Sequence, residues 1–148
     1  MGLFDSVLGK RRSTELSLGP VESFLAITLL AIAADGYISD DETRVLNSTL
    51  WRQKMFRSYS SDTIASSIDR LLGIIRRQGS EVLLNAAIAG IPHDLHDTVF
   101  AVTTDIILAD GEVTAEEEDL LNELHQALDL PDDLAQTIVA VMVIKNKG

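Results

Sequence analysis

An Asp-Gly turn followed by a helix-capping sequence occurs twice in this chain, and it constrains the fold more than any other feature. The first copy reads AADGYISDDE and the second, seventy-five residues later, LADGEVTAEEE. Gly36 and Gly111 supply the positive φ that ends a helix, while Ser39 and Thr114 each stand three residues before a Glu, as in a capping box. The spacing predicts two helix-turn-helix hairpins related by an internal duplication.

Helix start and stop signals recur along the rest of the chain, whereas the alternation typical of strands is nearly absent. Proline or serine stands at the helix starts, and glycine follows several of the helix ends. We therefore expect an all-α chain that forms a compact seven-helix bundle with two pseudo-symmetric helix-turn-helix hairpins. The predicted helices cover about 20–34, 39–56, 62–78, 80–91, 92–109, 114–129 and 131–144, with Ser60 or Ser61 as the cap of the third.

The first and fifth predicted helices are apolar over much of their circumference, which places them at the centre of the bundle. Asp94, Asp97 and Asp105 are interpreted as the solvent side of the fifth. At 148 residues the chain is long enough for one core. Residues 1–19, with scattered apolar positions before three basic ones, are predicted to be a flexible tail ahead of a single domain at 20–148.

The net charge of −11 is distributed unevenly. Residues 78–144 hold fourteen Asp and Glu and no Lys or Arg, so these carboxylates repel one another unless an external cation or basic partner neutralises them. This excess of acid argues against nucleic acid as a ligand. The absence of cysteine excludes disulfides and thiolate metal sites, and no apolar run reaches the length of a transmembrane helix.

The helix stop and capping signals do not explain the Asp that precedes each Gly. A negative side chain at a helix C-terminus faces the negative end of the dipole, at a cost of a few tenths to about 1 kcal/mol. A hard divalent cation would favour it, because helix-end carbonyls and carboxylates are oxygen ligands. The candidate metal ligands are Asp35, Glu42, Asp110, Glu112 and Glu117, with Asp41 and Glu116 as further members. The residues do not select between Ca²⁺ and Mg²⁺.

The sequence gives less support to a histidine metal site or to catalysis. His93 and His96 could share a metal, but two surface histidines at a helix start explain them as well, and His125 is interpreted as structural. No nucleophile motif or glycine-rich phosphate loop is present. We therefore expect a protein that is not an enzyme.

The two turns, the apolar helix before each and the opening MGLFDSVLG resemble the TerB family of tellurite-resistance proteins. The resemblance implies a bacterial, cytoplasmic, non-enzymatic protein of a tellurite and stress-response system. It also implies an acidic divalent-metal site and a membrane-embedded protein partner at the inner membrane. The family's acidic positions correspond to Asp35, Glu42, Asp110 and Glu117. Tyr37 stands where the second copy has the acidic Glu112, so the first turn offers fewer candidate ligands than the second.

Three functions remain open. The first is a metal-binding accessory protein of a stress-resistance system. The second is a metal-free helical scaffold whose acidic face, residues 94–133, docks a basic protein partner. The third, a small hydrolase that uses paired carboxylates, has the least support from the residues.

Overall fold

The computed structural model describes residues 16–109 and 111–148, and within them the chain forms seven α-helices and no strand. This confirms the predicted all-α bundle. Two short 3₁₀ helices, Lys54–Phe56 and His93–Leu95, join longer elements. The α-helices are α1 (Pro20–Ala33), α2 (Asp40–Leu50), α3 (Ser61–Gln78), α4 (Ser80–Gly90), α5 (His96–Leu108), α6 (Ala115–Ala127) and α7 (Asp132–Lys145).

Helices α1 and α5 form the centre of the bundle, as their apolar circumference predicts. Ten of the fourteen residues of α1 are buried, and α1 contacts α2, α3, α4 and α5. Helix α5 contacts α1, α2, α6 and α7. Phe24 of α1 meets Phe56 edge to face with 5.8 Å between ring centroids, and both rings are fully buried. Aromatic packing of this kind adds about 0.5 to 1.5 kcal/mol to the burial of the rings.

Both predicted capping boxes are present. The Glu42 N–H donates to Ser39 Oγ at 3.1 Å, and the Ser39 N–H donates to Glu42 Oε1 at 2.9 Å. Thr114 and Glu117 repeat the arrangement at 3.1 and 2.9 Å. Each box satisfies two backbone N–H groups that the first turn of a helix otherwise leaves without a partner. The starts of α2 and α6 are therefore fixed by interactions within four residues of sequence.

The two glycine stops also have the expected backbone. Gly36 has φ of +90° and Gly111 has φ of +84°. Only glycine adopts this region without steric cost, so α1 and α5 end where the sequence predicts.

The second predicted helix is shorter than expected. It ends at Leu50 instead of continuing to Phe56, because Gln53 adopts an extended backbone with φ −86° and ψ 130°. The 3₁₀ turn that follows places Phe56 in the core. Burial of this ring against α1 overrides the helical spacing of the sequence.

The fifth helix differs from its prediction in two respects. It begins at His96 instead of Pro92, because residues 93–95 form a tighter 3₁₀ turn. Asp105, predicted to face solvent, is half-buried and accepts hydrogen bonds from Lys145 Nζ at 3.1 Å and Asn146 Nδ2 at 2.8 Å. The end of α7 covers this side of α5, a contact between residues about forty apart that periodicity cannot predict.

Packing begins before the predicted domain start at residue 20. Leu18 is buried, and its carbonyl group lies against Gly90 at the end of α4. The rest of the predicted tail falls largely on residues 1–15, outside the described residues.

The close approach at Gly90 gives a prediction for stability. A Cβ at this position would collide with the Leu18 carbonyl oxygen and the Ser23 hydroxyl, so the backbone must move. We expect Gly90→Ala to lower the free energy of unfolding by about 1 to 3 kcal/mol in urea titrations. Gly73→Ala is the control: its Cβ would meet the flexible end of Arg77, and the change should be neutral or stabilising by up to about 1 kcal/mol. Equal stabilities of the two variants would contradict this account.

Candidate binding cleft

The two hairpins meet at one cleft with a volume of about 840 Å³. The ends of α1 and α5 and the starts of α2, α4 and α6 surround it. Its floor is apolar and consists of Leu30, Ala31, Ile32, Ala34, Val45, Leu84, Ile106, Ala109 and Leu120. The volume lies in the range of ligand pockets and is much larger than a bound ion requires.

Carboxylates form the rim of the cleft. Among the described residues that line it there is no Lys, Arg or His. The eight acidic lining residues are Asp35, Asp41, Glu42, Glu81, Glu116, Glu117, Asp119 and Glu123. An apolar wall beside charges of one sign reduces screening by water, so the cleft concentrates negative potential.

The structure brings most of the predicted metal ligands together. Asp35, Asp41 and Glu42 from the first hairpin line the same cleft as Glu116 and Glu117 from the second. Glu112 is exposed in the second turn, outside this lining, and Asp110 lies outside the described residues. Within the described residues, no three His, Asp or Glu side chains are grouped closely enough to hold a metal ion.

Several of these carboxylates already have a local partner. One oxygen of Glu42 and one of Glu117 accept the capping hydrogen bonds described above. Asp35 Oδ1 accepts a hydrogen bond from the Tyr37 N–H at 3.0 Å, which closes an Asx turn across Gly36. Thus the interpretation that no local interaction favours Asp35 is wrong, because the turn itself uses its side chain.

Glu81 and Glu123 form a carboxyl pair that the sequence analysis did not identify. Partial desolvation raises the pKa of Glu123, and the neighbouring Glu81, through its charge and a side-chain hydrogen bond, raises it further. The negative charge of Glu81 therefore makes ionisation of Glu123 less favourable in the folded protein. Glu81 begins α4 and Glu123 lies on α6, so no spacing rule connects them.

The two turns are held differently. Arg76 of α3 donates from Nη1 to the Gly36 carbonyl oxygen at 2.6 Å, and its guanidinium lies 5.3 Å from the centre of the Tyr37 ring. A Cβ at Gly36 would meet Arg76, whereas one at Gly111 would meet nothing within 4 Å. Tyr37, which replaces the acidic residue of the second copy, therefore holds the first turn against α3.

The histidines have structural environments. His96 Nδ1 lies 3.0 Å from the Leu128 carbonyl oxygen, and its ring meets that of His93 at 4.9 Å. His125 Nε2 lies 3.1 Å from the Leu130 carbonyl oxygen and 3.0 Å from an Asp132 carboxylate oxygen. These contacts tie α5 and α6 to the chain before α7, consistent with the interpretation of His125 as structural.

Comparisons with family models, curated proteins and solved structures find no match for this chain. The resemblance to TerB proteins therefore stays a prediction made from the residues. In the described part of the chain, no helix combines the length and apolar character of a membrane span.

The carboxyl pair predicts a pH effect on stability. The folded state holds the Glu123 proton more tightly than the unfolded chain does, so the free energy of unfolding should fall as pH rises from 4.5 through the raised pKa. Glu123→Gln cannot ionise and should melt at a higher temperature than the wild type at neutral pH, with a smaller difference below pH 4.5. Glu118→Gln, an exposed change on the same helix, is the control in thermal melts across pH. A difference that does not vary with pH would contradict the raised pKa of Glu123.

Proposed function

We propose that this protein is a non-enzymatic binding module whose cleft between the hairpins holds a basic, amphipathic segment of a partner protein. One observation carries the proposal: nine apolar residues and eight carboxylates line the same cleft, with no basic side chain among the described lining residues. Such a site complements a ligand that is apolar on one face and cationic at its edges.

The size and floor of the cleft favour a protein segment over an ion alone. A metal ion needs a few oxygen ligands and gains nothing from an apolar wall. A helix with aliphatic side chains gains about 25 cal/mol for each Å² of apolar surface that it buries. The floor would thus provide affinity, while the rim would steer association and select a basic partner.

The resemblance to TerB proteins suggests where such a partner would come from. We propose that the chain serves a bacterial tellurite or stress-resistance system beside a membrane-embedded component. Cytoplasmic loops of membrane proteins are rich in Lys and Arg, which is the charge that the cleft accepts. The proposal places the protein in the cytoplasm, peripheral to the inner membrane.

Fluorescence anisotropy with a labelled peptide of alternating Leu and Lys clusters, about eighteen residues long, would test the proposal. We expect saturable binding to the full chain that weakens with salt and is indifferent to EDTA. Glu123→Lys should weaken binding roughly fivefold, the effect of losing an ion pair of about 1 kcal/mol. Glu118→Lys makes the same charge change on α6 outside the lining, and we expect it to have a smaller effect.

A second peptide of equal charge, with Ser in place of Leu, separates cleft binding from general attraction to an acidic protein. It should bind more weakly, because it cannot use the apolar floor. Equal binding of the two peptides, together with equal effects of the two Lys variants, would refute the docking proposal.

A divalent cation at the rim is the second candidate, and the Glu81 and Glu123 pair is the observation that favours it. A cation bound beside these two carboxyl groups would offset the repulsion of Glu81 and displace the proton of Glu123 to solvent. Asp35, Asp41 and Glu116 line the same cleft, but their side chains would have to move closer together to supply further oxygen ligands.

Thermal melts with Ca²⁺ or Mg²⁺ would test this candidate separately. An ion at a hundred times its Kd stabilises the fold by about 2.7 kcal/mol, or several degrees. We expect the rise to vanish with EDTA and in Glu123→Gln, and to persist in Glu118→Gln. No rise with either ion would reject the cation and leave peptide docking unaffected.

A further inference from the structure

Helix α7 carries an exposed apolar stripe on the side turned away from the bundle. It packs against α5 through Ala135 and the half-buried residues near it on the same face. The stripe consists of Leu134, Thr137, Val141 and Ile144, spaced three, four and three apart. Leu134, Val141 and Ile144 are 38%, 51% and 65% exposed. These positions fall on one helix face that no described element of the chain covers.

The spacing of the four positions in this stripe is the same when α7 is read in either direction. Leu134 and Ile144 are equally far from its centre, and so are Thr137 and Val141. If a second α7 lies antiparallel on the first, Leu134 of one copy meets Ile144 of the other. At the opposite end of the contact, Ile144 of the first copy meets Leu134 of the second. Such self-complementarity is the requirement for a two-fold symmetric interface, in which each contact occurs twice.

The charges at the two ends of α7 also favour a second copy. Asp133 lies at its start, and Lys145 and Lys147 lie at its end. Antiparallel pairing brings Asp133 of each copy towards Lys147 of the other, whereas parallel pairing opposes like charges. Lys145 already pairs with Asp105 within its own chain, so Lys147 is the residue left for this contact.

We propose that the α7 stripe is the interface of a homodimer with antiparallel α7 helices. A helix of fourteen residues is about 21 Å long, so the contact is small and the dimer weak, with a Kd of about micromolar or higher. None of the residues that line the cleft belongs to α7, so the dimer contact uses no cleft residue and does not depend on the proposed function.

Sedimentation velocity of the full chain across a wide concentration range, at low and at high salt, tests the proposal. The wild type should shift from monomer to dimer as concentration rises, and Val141→Asp should remain monomeric. Val82→Asp is the matched control, because Val82 is also exposed, at 40%, but lies on α4. Circular dichroism melts of both variants show whether each is folded. A monomeric wild type at every concentration, or equal loss of the dimer in both variants, would overturn the proposal.

Charge reversal tests the orientation. Asp133→Lys or Lys147→Asp alone should weaken the dimer, and the double variant should restore it, since each pair then has opposite charges again. Failure of the double variant to recover any association would contradict antiparallel pairing.

The cysteine-free chain allows a direct test of register. Leu134→Cys and Ile144→Cys should form an oxidised heterodimer when mixed. Either variant alone should not cross-link, because its two copies would lie about 15 Å apart along the helix. Efficient cross-linking of each variant with itself would indicate parallel pairing and overturn the model of the interface.

Discussion

The packing of α1 against α5 is the constraint on which the rest of the structure depends. Both helices are buried over most of their surface, and each ends in a glycine with positive φ. Their C-terminal ends therefore lie beside each other at one side of the bundle, and the helices that follow, α2 and α6, begin there as well. The cleft results from this arrangement, because the side chains at the ends of α1 and α5 and at the starts of α2 and α6 do not fill the space between them.

The same carboxylates stabilise the hairpins and charge the cleft. Glu42 and Glu117 each use one oxygen to cap a helix, and Asp35 closes its own turn. The first copy of the signature can thus be explained locally, so it is weaker evidence for a ligand than the sequence alone implies. The stronger evidence is tertiary, because carboxylates from α2, α4 and α6 converge on an apolar floor without a basic residue among the described lining.

The two hairpins are not equivalent, although their sequences run in parallel. Arg76 of α3 binds the carbonyl of Gly36 and lies over Tyr37, so a helix outside the hairpin restrains the first turn. A Cβ built on Gly111 meets no atom within 4 Å among the described residues. The restraint by α3 therefore distinguishes the first turn from the second.

The sequence by itself determined the features that depend on residues within a helical turn of one another: the all-α class, the glycine stops, the capping boxes and most helix bounds. Tertiary structure alone decided the early end of α2 and the hydrogen bonds from the end of α7 to Asp105. It also decided the contact of Arg76 with Gly36 and the proximity of Glu81 to Glu123. These interactions join residues about thirty to forty apart in sequence that lie on different elements of the fold. Helical periodicity records which face of a helix is apolar, but the energy of packing one helix on another selects the side chains that meet.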